Sequence, residues 1–286
     1  MSEPEIIPQG KYVVPALAQG LAVLGLFSRE QPSLTAPEIA NRLGLSRTTV
    51  FRLLHTLQIM GFVRRDENER HYSLGPALLS RGFEFVASLD IVEIAQPILR
   101  QLRDQTGLSA HMAVRDGGEV VYVIRHPARS TIASSVNIGT RFPAHATVMG
   151  RMMLSEMSEA ELRKLFPTDP LPRYTEQTPQ TLASLMEILA EDRKRGYSVS
   201  QSFFEQGVSS IAAPVRDGAG NIVAAINITA VDAYIDVGAM HGPLKDAVLA
   251  AASEIGRWLR RDTSIDTPPR EMPPQKRSSK NEPVHV

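Results

Sequence analysis

The chain has 286 residues, with 31 basic side chains balanced by 31 acidic ones, 43% apolar residues, 22% charged residues and no cysteine. Charge balance removes any global attraction for nucleic acid or anionic membrane, so a basic surface must be local, and zero cysteines exclude disulfides, thiol nucleophiles and thiolate zinc sites. No apolar run approaches the roughly 18 residues that span a bilayer, and the acidic start MSEPEIIPQG lacks the pattern of a secretory signal, which predicts a cytoplasmic protein of about two domains.

Residues 1–12 and the proline-rich segment 263–286 are expected to be disordered. From 13 to 74 the chain reads as three short helical stretches followed by a hairpin. Thr35 and Glu38 make a capping box with Pro37 in the first turn, Gly44 ends that helix, and Ser46 caps the next. In this second helix Val50, Leu53, Leu54 and Leu57 fall at i, i+3, i+4 and i+7, a single core-facing stripe. The opposite face holds Thr48, Arg52 and His55, flanked by Arg47 and Thr49, and offers donors, hydroxyls and a methyl to base edges. Phe62–Arg64 and His71–Leu74 read as arms of a wing-like hairpin carrying Arg64, Arg65 and Arg70. Between Gly44 and Arg65 stand four arginines (47, 52, 64 and 65) and no acid, a positive strip weakened at the wing tip by Asp66, Glu67 and Glu69. A charged helix face alone is often merely solvated. The joint occurrence of capped helix, glycine turn, second helix and basic hairpin predicts a winged helix-turn-helix that binds double-stranded operator DNA. The candidate DNA-contacting residues are Ser46, Arg47, Thr48, Thr49, Phe51, Arg52, His55, Arg64, Arg65 and Arg70.

Residues 75–89 carry Leu78, Leu79, Phe83 and Val86 at near-helical spacing, which predicts a linker helix. Its stripe packs either on its own chain or on the same helix of a second subunit.

Residues 90–262 read as an α+β domain. Asp90 and Glu93 carry a capping-box signature, and SAHMAVRDGGEVVYVIRH and GVSSIAAPVRDGAGNIVAAINITA read as hairpins. Both share VRDG at the turn, which suggests either an internal duplication or independent turn chemistry. FPAHATVMGRMML starts a helix whose first N–H groups suit a carboxylate, with Val148, Met149 and Met152 as apolar wall or core filler. His111, His126 and His145 are isolated and match no catalytic or metal-ligand spacing, so no enzyme activity, metal or cofactor is expected.

Three passages, ALAQGLAVLGLFSREQPSLTAPEIANRLGLSRTTVFRLLHTLQIMGFVRR, PAHATVMGRMMLSEM and RGYSVSQSFFEQGVSSIAAPVRDGAGNIVAAINIT, resemble the IclR family of bacterial transcriptional regulators. The resemblance implies a GAF-like effector-binding domain after the linker, and effector contacts at Val148, Met149, Ser200, Ser210, Asn227 and Thr229. Three of these depart from the common family pattern: Ser200 replaces an acidic residue, Ser210 a cysteine and Asn227 a serine. The MGR of Met149–Arg151 and the SIAAPV from Ser210 are similar to the subgroup controlling protocatechuate and 4-hydroxybenzoate breakdown. The implied effector is a small aromatic carboxylic acid, with a short aliphatic oxo acid, or a domain that only assembles subunits, as alternatives. A homodimer follows from the need for two recognition helices about one DNA turn (~34 Å) apart, and pairing of such dimers into a dimer of dimers is left open.

Overall fold

The computed structural model describes residues 10–66, 70–129, 136–231 and 237–262. Residues 1–9, the wing-tip residues Glu67 and Glu69, and the segment 263–286 lie outside that set. The chain divides into two compact units, Met1–Asp90 and Ile91–Val286.

The first unit runs α1 (Pro15–Gly25), β1 (Ser33–Thr35), α2 (Ala36–Leu43), α3 (Arg47–Ile59), β2 (Val63–Arg65), β3 (His71–Leu74) and α4 (Ala77–Ala87). The Thr35–Glu38 box forms: the Glu38 carboxylate accepts the Thr35 N–H and hydroxyl, both at 2.7 Å, and Thr35 Oγ1 accepts the Glu38 N–H. The Thr35 N–H, then its hydroxyl, hold the Glu38 carboxyl below its usual range. Gly44 closes α2 at φ 63°, a left-handed cap that costs a β-carbon-bearing residue about 1–2 kcal/mol. Val50 and Leu54 are fully buried against Val23, Leu34, Ile39, Val63 and Tyr72, while Leu53 and Leu57 complete the stripe half-buried. β1 was not expected. It pairs antiparallel with β3, so the sheet has the order β1-β3-β2; a three-residue SLT is too short for its alternation to register in sequence.

The second unit begins with α5 (Asp90–Thr106), in which Asp90 is the first helical residue and not the residue before it. A six-stranded antiparallel sheet follows, built from β4 (Ser109–Asp116), β5 (Glu119–His126), β6 (Arg141–Pro143), β7 (Ser198–Gln201), β8 (Val208–Arg216) and β9 (Ile222–Val231), in the order β6-β5-β4-β9-β8-β7. Between β6 and β7 come a 3₁₀ turn (Ala144–Ala146), α6 (Val148–Leu154), α7 (Glu159–Leu165) and α8 (Leu182–Arg195), and after β9 come α9 (Val237–His241) and α10 (Pro243–Asp262). The middle of β8 is buried at successive residues, Ile211, Ala212 and Ala213, so both of its faces are covered. Ala113, Tyr122, Ala212 and Ala225 pack with α6 in one cluster; α10 also packs on β8 and β9.

The two VRDG turns differ. The first hairpin turns at Gly117–Gly118 with Asp116 still paired to Glu119, whereas Asp217 opens a longer loop and its Oδ1 accepts the N–H groups of Ala219 and Asn221. The first strand of one hairpin, β4, lies inside its partner, and the first strand of the other, β8, lies outside. That arrangement favours convergent turn chemistry over duplication.

Candidate nucleic-acid interface and effector cavity

Ser46 caps α3, its Oγ accepting the Thr49 N–H at 3.1 Å and lying 2.8 Å from Thr49 Oγ1. Thr49 is thereby turned inward and half-buried. Arg47, Thr48, Phe51, Arg52 and His55 stand exposed on one side of the helix, with the rings of Phe51 and His55 stacked at 6.2 Å. Arg64 and Arg65 are exposed on β2, the latter 6.0 Å over the Tyr72 ring, and Arg70 enters β3 exposed at φ 54°. No acidic residue lies on α3. The helix therefore presents guanidinium, hydroxyl, imidazole and aromatic groups without an opposing charge of its own.

In the second unit a cavity of about 90 Å³ is lined by residues from β4, β5, β6, α6, β7, β8 and β9. Sheet register assembles its polar floor. Ser200 lies opposite Ser210, and Ser210 opposite Thr229, one row across three strands. Asn227 lies opposite His111 in a second row. Directly opposed residues in antiparallel strands share a face, so five chain-distant polar side chains meet by pairing alone. Ser210 Oγ is 2.7 Å from Thr229 Oγ1, which donates to the Ser209 carbonyl; the Ser210 hydroxyl is thus the donor between them. His111 Nδ1 is 3.0 Å from Asn227 Oδ1. Burial pushes the His111 ring down to about 4, against the Asn227 bond, and burial pushes the Tyr122 phenol up. Tyr122, Phe142 and Phe204 form a chain of edge and tilted ring contacts that closes the apolar side.

Val148, Ser200, Ser210, Asn227 and Thr229 line this cavity. Met149 does not: it is fully buried in the core with Met152. The start of α6 is also less open to an anion than expected. The helix has seven residues, and the Thr147 side chain already accepts the Gly150 N–H. Gly150 is needed because a β-carbon there would sit 2.2 Å from the Ala144 carbonyl oxygen; the close approach folds the 3₁₀ turn onto α6 and brings Ala146, Thr147 and Val148 to the wall. Arg151, fully buried, anchors the far side of the same helix. Its Nε is 2.9 Å from Asp192 Oδ2, and its Nη2 donates to Ser198 Oγ and the Val199 carbonyl. Burial raises the Asp192 carboxyl, and Arg151 and Ser198 oppose that rise.

Sequence reasoning missed His111, Tyr122, Phe142 and Phe204. His111 had been set aside with His126 and His145, whose rings bond the backbone carbonyls of Gln96 and Pro172. No local signal separates the three; only the adjacency of β4 and β9 does. A wider hollow of about 530 Å³ beside α8 and β7 contains both Glu191 and Arg195. These opposed charges pair at 3.7 Å, and Ser200 lines both spaces.

The winged helix gives one unit the arrangement of helix-turn-helix regulators, and the sheet unit carries a separate polar cavity. Residues 16–67 match the IclR helix-turn-helix domain and residues 83–257 the bacterial transcriptional regulator IclR C-terminal domain. The chain belongs to the IclR family of bacterial transcriptional regulators. It is 33% identical over 227 residues to the HTH-type transcriptional regulator XynR of Escherichia coli K12, covering 78% of this chain and 89% of that one. It is 34% identical over 215 residues to the Pca regulon regulatory protein of Pseudomonas putida, covering 75% and 73%. A crystal structure of a transcriptional regulator from Rhodococcus sp. RHA1 superposes with a TM-score of 0.77 at 32% identity, covering 87% of this chain and 100% of that one. These relatives are regulators, not enzymes. Among the described residues no helix is long and apolar enough to cross a membrane.

Proposed function

We propose that the chain represses or activates a catabolic operon by reading operator DNA with α3 and the wing, under the control of a small organic acid held in the cavity. The observation that carries the proposal is the cavity: five of the six residues implied by family resemblance, drawn from four elements, line one space. On the DNA side, Arg47, Thr48, Phe51, Arg52 and His55 enter the major groove, Ser46 and Thr49 set the start of the helix, and Arg64, Arg65 and Arg70 reach phosphates. A homodimer supplies the second recognition helix.

An aromatic carboxylic acid is the effector class favoured by the MGR and SIAAPV passages and by the similarity to the Pca regulon regulatory protein. The volume favours a second reading. About 90 Å³ is less than the roughly 150 Å³ of a cavity known to admit benzene, so a short aliphatic oxo acid fits without movement, and an aromatic ring requires Phe204 or Phe142 to swing aside.

The test is an anisotropy titration of the chain's own upstream DNA against random duplex at moderate salt, with and without each acid. Selective binding that shifts about 5- to 150-fold with one acid is expected; equal affinity for both duplexes would sink the reading. In the same assay Arg52→Ala should weaken the operator complex by about 1–3 kcal/mol if this side chain reads a base.

A further inference from the structure

We propose that the effector carries a hydroxyl or N–H donor that hydrogen-bonds to Nε2 of His111, making this residue the one that sorts hydroxylated acids from their deoxy and O-methyl analogues. The proposal rests on the reading of the cavity as the effector site.

The argument begins with Asn227. It faces His111 across the β4–β9 ladder, and its carboxamide oxygen lies 3.0 Å from Nδ1. A carbonyl oxygen only accepts, so Nδ1 carries the ring proton. Burial keeps the ring neutral. A neutral imidazole with its proton on Nδ1 has a lone pair on Nε2, and that atom is buried without a partner in a residue 1% exposed. His126 and His145 differ in kind, since each directs a ring nitrogen at a backbone carbonyl.

Other polar groups of the lining are already engaged in part. The Ser210 and Thr229 hydroxyls spend their protons on Thr229 and the Ser209 carbonyl. Tyr122 meets the imidazole edge-on at 5.5 Å and adds an apolar surface. No lysine or arginine lines the cavity among the described residues, and the segments 130–135 and 232–236 contain none. Arg125 lies cross-strand from His111, off the lining. Glu205 is the one charged side chain among the described lining residues. Selection among acids is therefore set by hydrogen-bond polarity, and a buried acceptor left empty penalises any ligand that cannot donate to it.

Calorimetry on the full chain would compare 4-hydroxybenzoate with 4-methoxybenzoate and benzoate, and glycolate with methoxyacetate and acetate. In one series the hydroxyl compound should bind about 10- to 100-fold more tightly than both analogues, and His111→Phe should bring the three together. The ¹⁵N spectrum of histidine-labelled wild type gives a readout that needs no variant. The His111 Nε2 should be unprotonated in the free chain and shift with the hydroxyl compound but not its methyl ether. A protonated Nε2, or equal affinities within a binding series, overturns the proposal and leaves the effector cavity standing. Silence from every acid in both series overturns the proposal; the effector reading falls with it if pyruvate, an oxo acid without the donor, is silent too.

Discussion

His111 ties the chemistry of the cavity to the stability of the second unit. Its ring takes a proton at about 4 when folded but at about 6.5 in an unfolded chain. Across that interval the unfolded state holds more protons, so stability falls as pH falls through the window, by up to roughly 3 kcal/mol from this ring. His126 and His145, also lowered by burial, act in the same direction. Urea titrations from pH 7 to pH 4 should show wild type losing stability and His111→Phe losing less of it; parallel curves would contradict the buried neutral ring. At this scale the exposed side of α3 was readable, because the Val50–Leu57 stripe fixes what the other side of the helix presents. The cavity was readable only through family resemblance. His111 and Asn227 are 116 residues apart, and nothing in either local sequence announces that their strands are neighbours.

Helix ends in the first unit were legible because capping uses residues close in sequence: Thr35 with Glu38, Ser46 at the start of α3, and Gly44 at the left-handed turn; Asp90, read as a cap with Glu93, is instead the first residue of its helix. Strands β1, β6 and β7, of three or four residues each, were not, since their partners and not their composition make them strands. The MGR passage shows a further limit. Its glycine and arginine read as a family marker, whereas in the fold one permits backbone contact with Ala144 and the other joins α6 to α8 and β7. Arg151→Met should therefore destabilise the second unit by about 3–5 kcal/mol by leaving Asp192 charged and unpaired. Adding Asp192→Leu should recover a large part of that loss, because two apolar side chains replace a costly buried pair. A double-mutant cycle in thermal unfolding checks this; additive losses would mean the two side chains act independently.

For the whole molecule, α4 is the element without a destination. None of its residues is buried, and Leu79, Phe83 and Phe85 are exposed, as are Leu17 and Leu21 of α1. Such apolar surface is the expected subunit contact of the proposed homodimer. Phe83→Glu should leave the folded monomer within about 0.5 kcal/mol of wild type while shifting sedimentation towards monomer and weakening operator binding; an unchanged dimer would place the contact elsewhere. The central ladder of the second unit has a consequence in time. The first unit closes its core between residues near one another in the chain, but β4 waits for β9 before the sheet is whole. During synthesis, then, the helix-turn-helix unit is finished while the sheet unit still has no interior, and each new copy passes through an interval in which its first unit is folded and its cavity does not yet exist.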